Sequence, residues 1–340
     1  MDAFEKAKHW FKKRKKRKII KILSIDGGGM RGIIPAMVMA KIEELTKTPI
    51  SQLFDLVAGT STGGILALGV AMPNSQRQPA YSSKDWRDIY INNGPEIFSY
   101  SRWNSFKSLG FWLDKKYSSE GIEKVLDNYF GQTKFKDALT NVLITSYEIQ
   151  HRSLYLFKSR LHKHQNLLMQ EIARATSAAP TYFEPAKITL PETNEHKILI
   201  DGGVVVNNPS MYALAEAKTL FPDADDFILV SLGTGQYPLD KYTYEQAKSW
   251  GTASWIRPII DVLFHGASIN EHQYMESMLP PDELNRQRYY RFQVDVTKEY
   301  EPLDNTDPTD LENLCLLAQE NIIQKYKKEL IDLCSRLLEK

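Results

Sequence analysis

The residues best placed to do chemistry are Gly59-Thr60-Ser61-Thr62-Gly63. Gly-x-Ser-x-Gly is the spacing of a nucleophile elbow, a sharp turn from strand to helix that lifts a serine hydroxyl to where a substrate carbonyl can reach it. Glycines on either side admit the tight turn and keep the Ser61 hydroxyl uncrowded. The following helix points its first N–H groups at the serine, a field that favours negative charge on a substrate oxygen. The same five residues also read as a glycine-rich turn capped by Ser or Thr, so the choice rests on the rest of the chain.

Two further stretches could take part. Asp26-Gly27-Gly28-Gly29-Met30-Arg31-Gly32 follows an apolar strand, Ile19 to Ile25, and precedes a helix expected from about Ile34 to Leu45 with Pro35 in its first turn. Strand, glycine loop and helix also describe a phosphate loop, and Gly27, Gly29 and Gly32 fit a dinucleotide fingerprint. A nucleotide P-loop needs Gly-Lys-Ser/Thr here, which is absent. A dinucleotide fold wants an acidic residue ending the second strand, which ends instead at Gly59-Thr60-Ser61. The better account has the N–H groups of Gly28 and Gly29 facing Ser61 as an oxyanion hole, in which removing one donor typically costs ~3 kcal/mol. Asp201-Gly202-Gly203 closes the short strand Ile198 to Ile200, a position where α/β sheets place reactive groups. The plainer alternative for Asp201 is an Asx-turn carboxylate bonded to its own backbone.

The elements that must position these groups follow from apolar periodicity. Phe54 to Val57 is the strand before the elbow and Ile65 to Met72 the helix after it; Val142 to Tyr147, Tyr155 to Phe157 and Phe227 to Leu232 read as further strands. Helices are expected at Glu171 to Ser177, after Asn207-Asn208-Pro209, at Trp255 to Phe264, at Glu271 to Met278 and over about Asp310 to Leu338, with a strand at Tyr289 to Val296. Residues 84 to 130 are rich in aromatics, among them Trp86, Phe98, Tyr100, Trp103, Phe106, Phe111, Trp112 and Tyr117. Most are expected in the core, the alternative being a rim that takes acyl chains. Strands alternating with helices predict an α/β fold, and no repeat or low-complexity tract divides residues 19–340.

Composition narrows the class. With 340 residues, 42% hydrophobic and 25% charged, the chain suits a globular protein with a sizeable core. Its longest apolar runs fall far short of a membrane-spanning helix. Cys315 and Cys334 make neither a disulfide framework nor a metal site, which suits a reducing compartment. The net charge of +1 conceals an asymmetry: residues 1–21 hold ten Lys or Arg against two acids, or +8, and the remainder holds 33 basic and 40 acidic residues, or −7. In residues 1–18, Phe4, Ala7 and Phe11 recur at helical spacing beside Trp10, with basic residues elsewhere. That arm reads as an amphipathic helix contacting an anionic membrane through residues 3–18, or as a solvated basic or nucleic-acid-binding segment. It has no apolar h-region or small-residue cleavage site, so no classical secretory signal is expected, and the protein is expected in the cytoplasm or peripherally on a membrane.

Four signals now stand in one order: the Asp26 to Gly32 loop, Gly59-Thr60-Ser61-Thr62-Gly63, Ala175-Thr176-Ser177-Ala178-Ala179-Pro180-Thr181-Tyr182-Phe183, and Asp201-Gly202-Gly203. Together they resemble the patatin-like phospholipases, lipid acyl hydrolases related to the catalytic domain of cytosolic phospholipase A2. Softer similarity continues through Ser231-Leu232-Gly233-Thr234-Gly235 into the C-terminal helices. The resemblance implies a mostly parallel sheet sandwiched between helices in a three-layer α/β/α arrangement. It further implies that Ser61 is the nucleophile, Asp201 its base, and Gly27, Gly28 and Gly29 the oxyanion loop, with Arg31 beside it. Such a Ser-Asp dyad acts on acyl lipids without histidine, metal or cofactor, and no nucleic-acid partner is expected. His151, His162, His164 and His196 lie in polar stretches and read as solvated loop histidines; His265 and His272 fall in helices. An acyltransferase using the same acyl-enzyme, and a non-catalytic lipid- or phosphate-binding module, are the alternatives.

Overall fold

The computed structural model describes residues 17–98, 117–236, 242–296 and 303–339. The expected basic arm therefore lies outside the described residues except at its end, where the Lys18 N–H donates to Asp225 Oδ2 at 2.7 Å.

Strand β1 (Ile19–Ile25) is an apolar run because both of its faces are covered. Ile20 and Ile22 face one core, Leu23 and Ile25 the other. It is followed by α1 (Ile33–Thr46), β2 (Leu56–Thr60), α2 (Thr62–Ala71), α3 (Ser83–Ile97) and α4 (Ser119–Phe130). Next come β3 (Asn141–Glu148), β4 (Ser153–Lys158), α5 (Met169–Thr176), β5 (Ala186–Thr189), β6 (His196–Asp201), α6 (Ser210–Leu220) and β7 (Asp226–Leu232). The chain ends with α7 (Thr252–Met278), β8 (Tyr289–Phe292), α8 (Pro308–Ala318) and α9 (Lys327–Leu338).

The eight strands form one mixed sheet in the order β5-β6-β3-β2-β1-β7-β8, with β4 also on β3. β3, β2, β1, β7 and β8 run parallel; β4, β5 and β6 supply the antiparallel pairings. The larger core packs Leu23, Val57, Ile144 and Val230 against residues of α1 to α3, α5, α8 and α9. The smaller sets Ile22, Leu56 and Leu229 against Ala213, Leu214 and Ala217 of α6 and Met275 of α7. This is the expected three-layer α/β/α sandwich with a mostly parallel sheet.

The register at β3 positions everything that follows. β4 occupies one edge from Leu143 to Glu148. The other edge is shared: β2 pairs with it as far as Thr60 opposite Thr145, and β6 takes over at Asp201 opposite Ser146. β2 rises and β6 descends along the same edge, so their ends meet at Ser61 and Asp201.

Three differences from the sequence reading have physical reasons. The helices expected at Trp255 to Phe264 and Glu271 to Met278 are one helix, α7, because the intervening Gly266-Ala267 is small without being a break. The C-terminal amphipathic segment is α8 and α9 joined by a π-helical stretch, Gln319–Gln324. β5 was not foreseen: it is four residues long, with only Ala186 and Ile188 turned to the core.

Of the aromatics between 84 and 130, Trp86 and Tyr117 are buried, whereas Tyr100, Trp103, Phe106, Phe111 and Trp112 lie outside the described residues. Trp86 stacks on Phe130 with ring centroids 5.4 Å apart. Its indole fits because residue 69 is glycine, where a Cβ would fall 2.1 Å from the ring. Trp86→Ala is expected to lower unfolding stability by ~3–5 kcal/mol, read from the shift in denaturant midpoint at unchanged slope.

Candidate active site

Ser61 occupies the turn between β2 and α2 with φ 54° and ψ −124°, a conformation unusual for a residue with a Cβ and typical of strain held at a functional turn. The surroundings enforce it. A Cβ on Gly59 would lie 2.1 Å from the Gly63 carbonyl oxygen, so the strand can turn into the helix this sharply only with glycine at position 59. Thr60 Oγ1 meets Thr145 Oγ1 at 2.7 Å and donates to the Val206 carbonyl at 2.8 Å, tying the elbow to β3. The Ser61 N–H donates to Thr176 Oγ1 at 2.8 Å, and Thr62 Oγ1 meets Tyr90 Oη at 2.5 Å.

Ser61 Oγ donates to Asp201 Oδ2 at 2.5 Å, although 140 positions separate them in the chain. The second oxygen of Asp201 accepts the Gly203 N–H at 2.8 Å. The Asx turn and the contact with serine are thus the two halves of one carboxylate. Asp201 is 1% exposed, and burial pushes its carboxyl up from 3.8 to about 7, opposed by its bonds to Ser61 and Gly203. A carboxylate tuned to that range is far more basic than a solvated one.

The Asp26 to Gly32 loop lies beside Ser61. The Gly27 N–H is already engaged, donating to the Asn207 carbonyl at 3.0 Å, and the Met30 N–H donates to the Leu303 carbonyl. The N–H groups of Gly28 and Gly29 donate to no described residue. Of the three glycines expected to form the oxyanion loop, these are the two whose N–H groups have no acceptor among the described residues. Gly29 adopts φ +58°, the left-handed conformation in which glycine is unstrained. Arg31 is buried in the 3₁₀ turn Gly29–Gly32.

Two supports of this loop gave no clear signal in the sequence. Thr234 Oγ1 donates to the Gly27 carbonyl at 2.5 Å. Arg291 on β8 grips Asp26 with both arms, Nη1 to Oδ1 at 2.9 Å and Nη2 to Oδ2 at 2.6 Å. Ser268 Oγ adds a bond to Asp26 Oδ2 at 3.1 Å. Thr234 stands in a Gly-Thr-Gly turn at the end of a strand, a hint of close approach; Arg291 lies in a short alternating strand and looks like any solvated charge.

Ser61 opens onto a cleft walled by Ile65, Trp86, Ile89, Phe98, Leu126, Tyr129, Phe130 and Phe183. The aromatics of α3 and α4 are thus both core and the walls of a pocket suited to an acyl chain. The described histidine side chains stand elsewhere. His151 pairs with Glu148 and His162 with Glu192. His164 differs from the expectation of a solvated loop: it is 1% exposed, bonded to Tyr155 and to the Lys158 N–H, and burial drives it down to about 4. His272 meets Tyr289, and the side chain of His265 lies outside the described ones. Among the described residues no three His, Cys, Asp or Glu side chains are grouped so as to hold a metal ion.

Comparison with known proteins gives the family. A model of the patatin-like phospholipase family matches residues 23–214, the span that carries both Ser61 and Asp201. Patatin-like protein 4 of Arabidopsis thaliana is 32% identical over 87% of this chain and 81% of its own. Patatin-like protein 2 of rice (Oryza sativa subsp. indica) is 32% identical over 89% and 84%. A potato (Solanum tuberosum) relative at 30% identity, covering 92% of this chain and 88% of its own, is named a probable inactive patatin. Both the span of the match and the identity along most of the chain place it in one group: this chain belongs to the patatin-like phospholipase family.

Proposed function

We propose that this protein is a serine lipid acyl hydrolase that cleaves acyl esters of membrane phospholipids or related lipids through an acyl-Ser61 intermediate. The observation that carries the reading is the 2.5 Å contact between Ser61 Oγ and the buried Asp201 carboxylate, set at the head of an apolar cleft. Asp201 takes the hydroxyl proton as Oγ attacks the ester carbonyl, and returns it to the departing alcohol. The Gly28 and Gly29 N–H groups and the N-terminus of α2 stabilise the oxyanion. With no imidazole in the dyad, these donors carry more of the barrier than in a histidine triad. The basic segment 3–18 serves as the contact with an anionic membrane surface. Among the described residues no helix is long and apolar enough to cross a membrane.

The test is product analysis by mass spectrometry after incubation with mixed phospholipid vesicles containing an added alcohol. Free fatty acid in amounts matching the lysolipid supports hydrolysis; a new ester of the alcohol points to an acyltransferase, and stoichiometric lipid binding without product to a binding module.

The raised carboxyl also predicts a pH profile. The base must be ionised, so kcat/KM for a soluble short-chain ester is expected to rise with pH and level off above an apparent pKa near 7. A profile already flat from pH 5 to 8 removes Asp201 as the base.

A further inference from the structure

The apolar cleft has a far end, and one side chain makes it. Ser61, Ile65 and Gly69 follow one another at intervals of four along α2, so they fall on one face of that helix. Ser61, Ile65 and Trp86 line the cleft, but Gly69 does not. The reason is steric: a Cβ on Gly69 would lie 2.1 Å from Trp86 Cε2 and 2.3 Å from Cζ2, so the indole lies directly over that position. Helix α3 passes α2 in the opposite sense. Its Tyr90 bonds to Thr62 beside the nucleophile, and its Trp86, one turn earlier, covers Gly69.

The indole is held firmly. Trp86 is 1% exposed, and beyond the stack on Phe130 it meets Tyr81 and Tyr129 with ring centroids 5.6 Å and 6.1 Å away. Tyr129 is tied in turn, its hydroxyl donating to Asn93 Oδ1 at 2.9 Å. A swing of the indole would therefore displace three other rings. Trp86 Nε1 is buried without a hydrogen-bond partner among the described residues, a cost that a purely apolar side chain would avoid. The ring is placed there for its shape.

Helix rise gives the depth. Gly69 stands eight residues beyond Ser61, ~12 Å at about 1.5 Å per residue. An extended alkyl chain advances ~1.3 Å per carbon, the projection of a C–C bond of ~1.5 Å. Roughly nine carbons therefore reach from an acyl-serine to the indole.

Resting on the hydrolase reading above, we propose that Trp86 sets acyl-chain length by closing the cleft at Gly69, so that the substrates handled best carry acyl groups of medium length. A longer chain has to leave its tail outside the cleft. Each methylene moved from water into an apolar site is worth about fourfold in binding, and a methylene beyond the stop gains none of it.

The experiment measures kcat/KM for p-nitrophenyl butyrate, octanoate, decanoate, laurate and palmitate, dispersed identically for wild type, Trp86→Leu, Trp86→Phe and Ile65→Phe. Ratios between esters within one protein are compared, so differences in active fraction cancel. In wild type the values are expected to climb from butyrate to octanoate or decanoate and to gain nothing at laurate and palmitate. Trp86→Leu removes the ring and should raise the laurate-to-butyrate ratio about tenfold, with Trp86→Phe in between. Ile65→Phe puts a ring one turn nearer Ser61 and should lower the octanoate-to-butyrate ratio by about tenfold. A wild-type profile that climbs steadily through palmitate, or ratios unchanged in the folded Trp86 variants, overturns the length-setting role and leaves the hydrolase reading standing. Where both Trp86 variants fail to fold, a ratio unchanged in Ile65→Phe overturns the path along α2 on which the stop depends. A wild type that turns over none of these esters instead brings down the hydrolase reading, and this inference with it.

Discussion

Replacing Ser61 by alanine is expected to lower fatty-acid release from phospholipid vesicles by about 10⁴-fold or more while the protein stays folded. On the proposed mechanism the loss is large because Oγ is the atom that bonds to the acyl carbon, so no neighbouring group makes a partial substitute. Asp201→Asn is expected to lose activity on a similar scale, since an amide cannot take the Ser61 proton. The same variant carries an opposite expectation for stability. Burial raises the folded-state pKa of Asp201 to about 7 from 3.8. A carboxyl raised in this way contributes stability that is fully present below pH 3.8 and is lost as pH rises through about 7. Asparagine has no charge to bury, so Asp201→Asn should gain over wild type as pH increases, by up to about 4 kcal/mol above pH 8 and by nothing near pH 4. Thermal unfolding of both proteins across that range checks this. A variant that loses activity with no pH-dependent gain is inconsistent with a buried, destabilised carboxylate.

Arg291→Gln is expected to damage both stability and activity although it lies away from the dyad. It leaves Asp26, 1% exposed, as a buried anion without its guanidinium, and breaking such a pair by removing one partner typically costs ~3–5 kcal/mol. Asp26 is the first residue of the oxyanion loop, so the displacement reaches the Gly28 and Gly29 N–H groups. In whatever fraction remains folded, kcat for a soluble ester should therefore fall more than KM rises. Glu271 is raised to about 8 by burial and by the nearby Asp26 charge, which disfavours a second anion at the site. Pairing Arg291→Gln with Asp26→Asn removes both charges. Much of the lost stability should return, and the non-additivity of the double-mutant cycle measures the coupling. A cycle that is additive within ~0.5 kcal/mol dismisses the pair as the anchor of the loop.

The parts of the site that were legible in the sequence are those whose function demands an unusual backbone. The elbow needs glycine at 59 and 63, the oxyanion loop needs glycines at 28 and 29, and Asp201 ends a strand at a glycine pair. Such requirements leave runs of small residues at fixed spacing. Fold class was readable for a related reason: strands covered on both faces, such as Ile19–Ile25, are predominantly apolar runs. The groups that hold the site in place were not legible, because their roles come from tertiary approach alone. Nothing local to Arg291 marks it as the partner of Asp26, 265 positions away. Asn207 has the look of an ordinary turn residue before Pro209, and His164 sits in a polar stretch that happens to fold inward. The direction of β6 was likewise invisible. Ile198 to Ile200 read as a strand, but only the pairing with β3 shows that it arrives antiparallel, head to head with β2.

That meeting of β2 and β6 on one edge of β3 has a consequence for how the protein is made. Ser61 leaves the ribosome 140 residues ahead of Asp201, roughly 7–28 s at 5–20 residues per second. Arg291, which holds the oxyanion loop through Asp26, follows later still. A nascent or truncated chain therefore carries the serine without the carboxylate that activates it, and with an unanchored loop beside it. On the proposed hydrolase reading, activity arrives only with a nearly finished polypeptide.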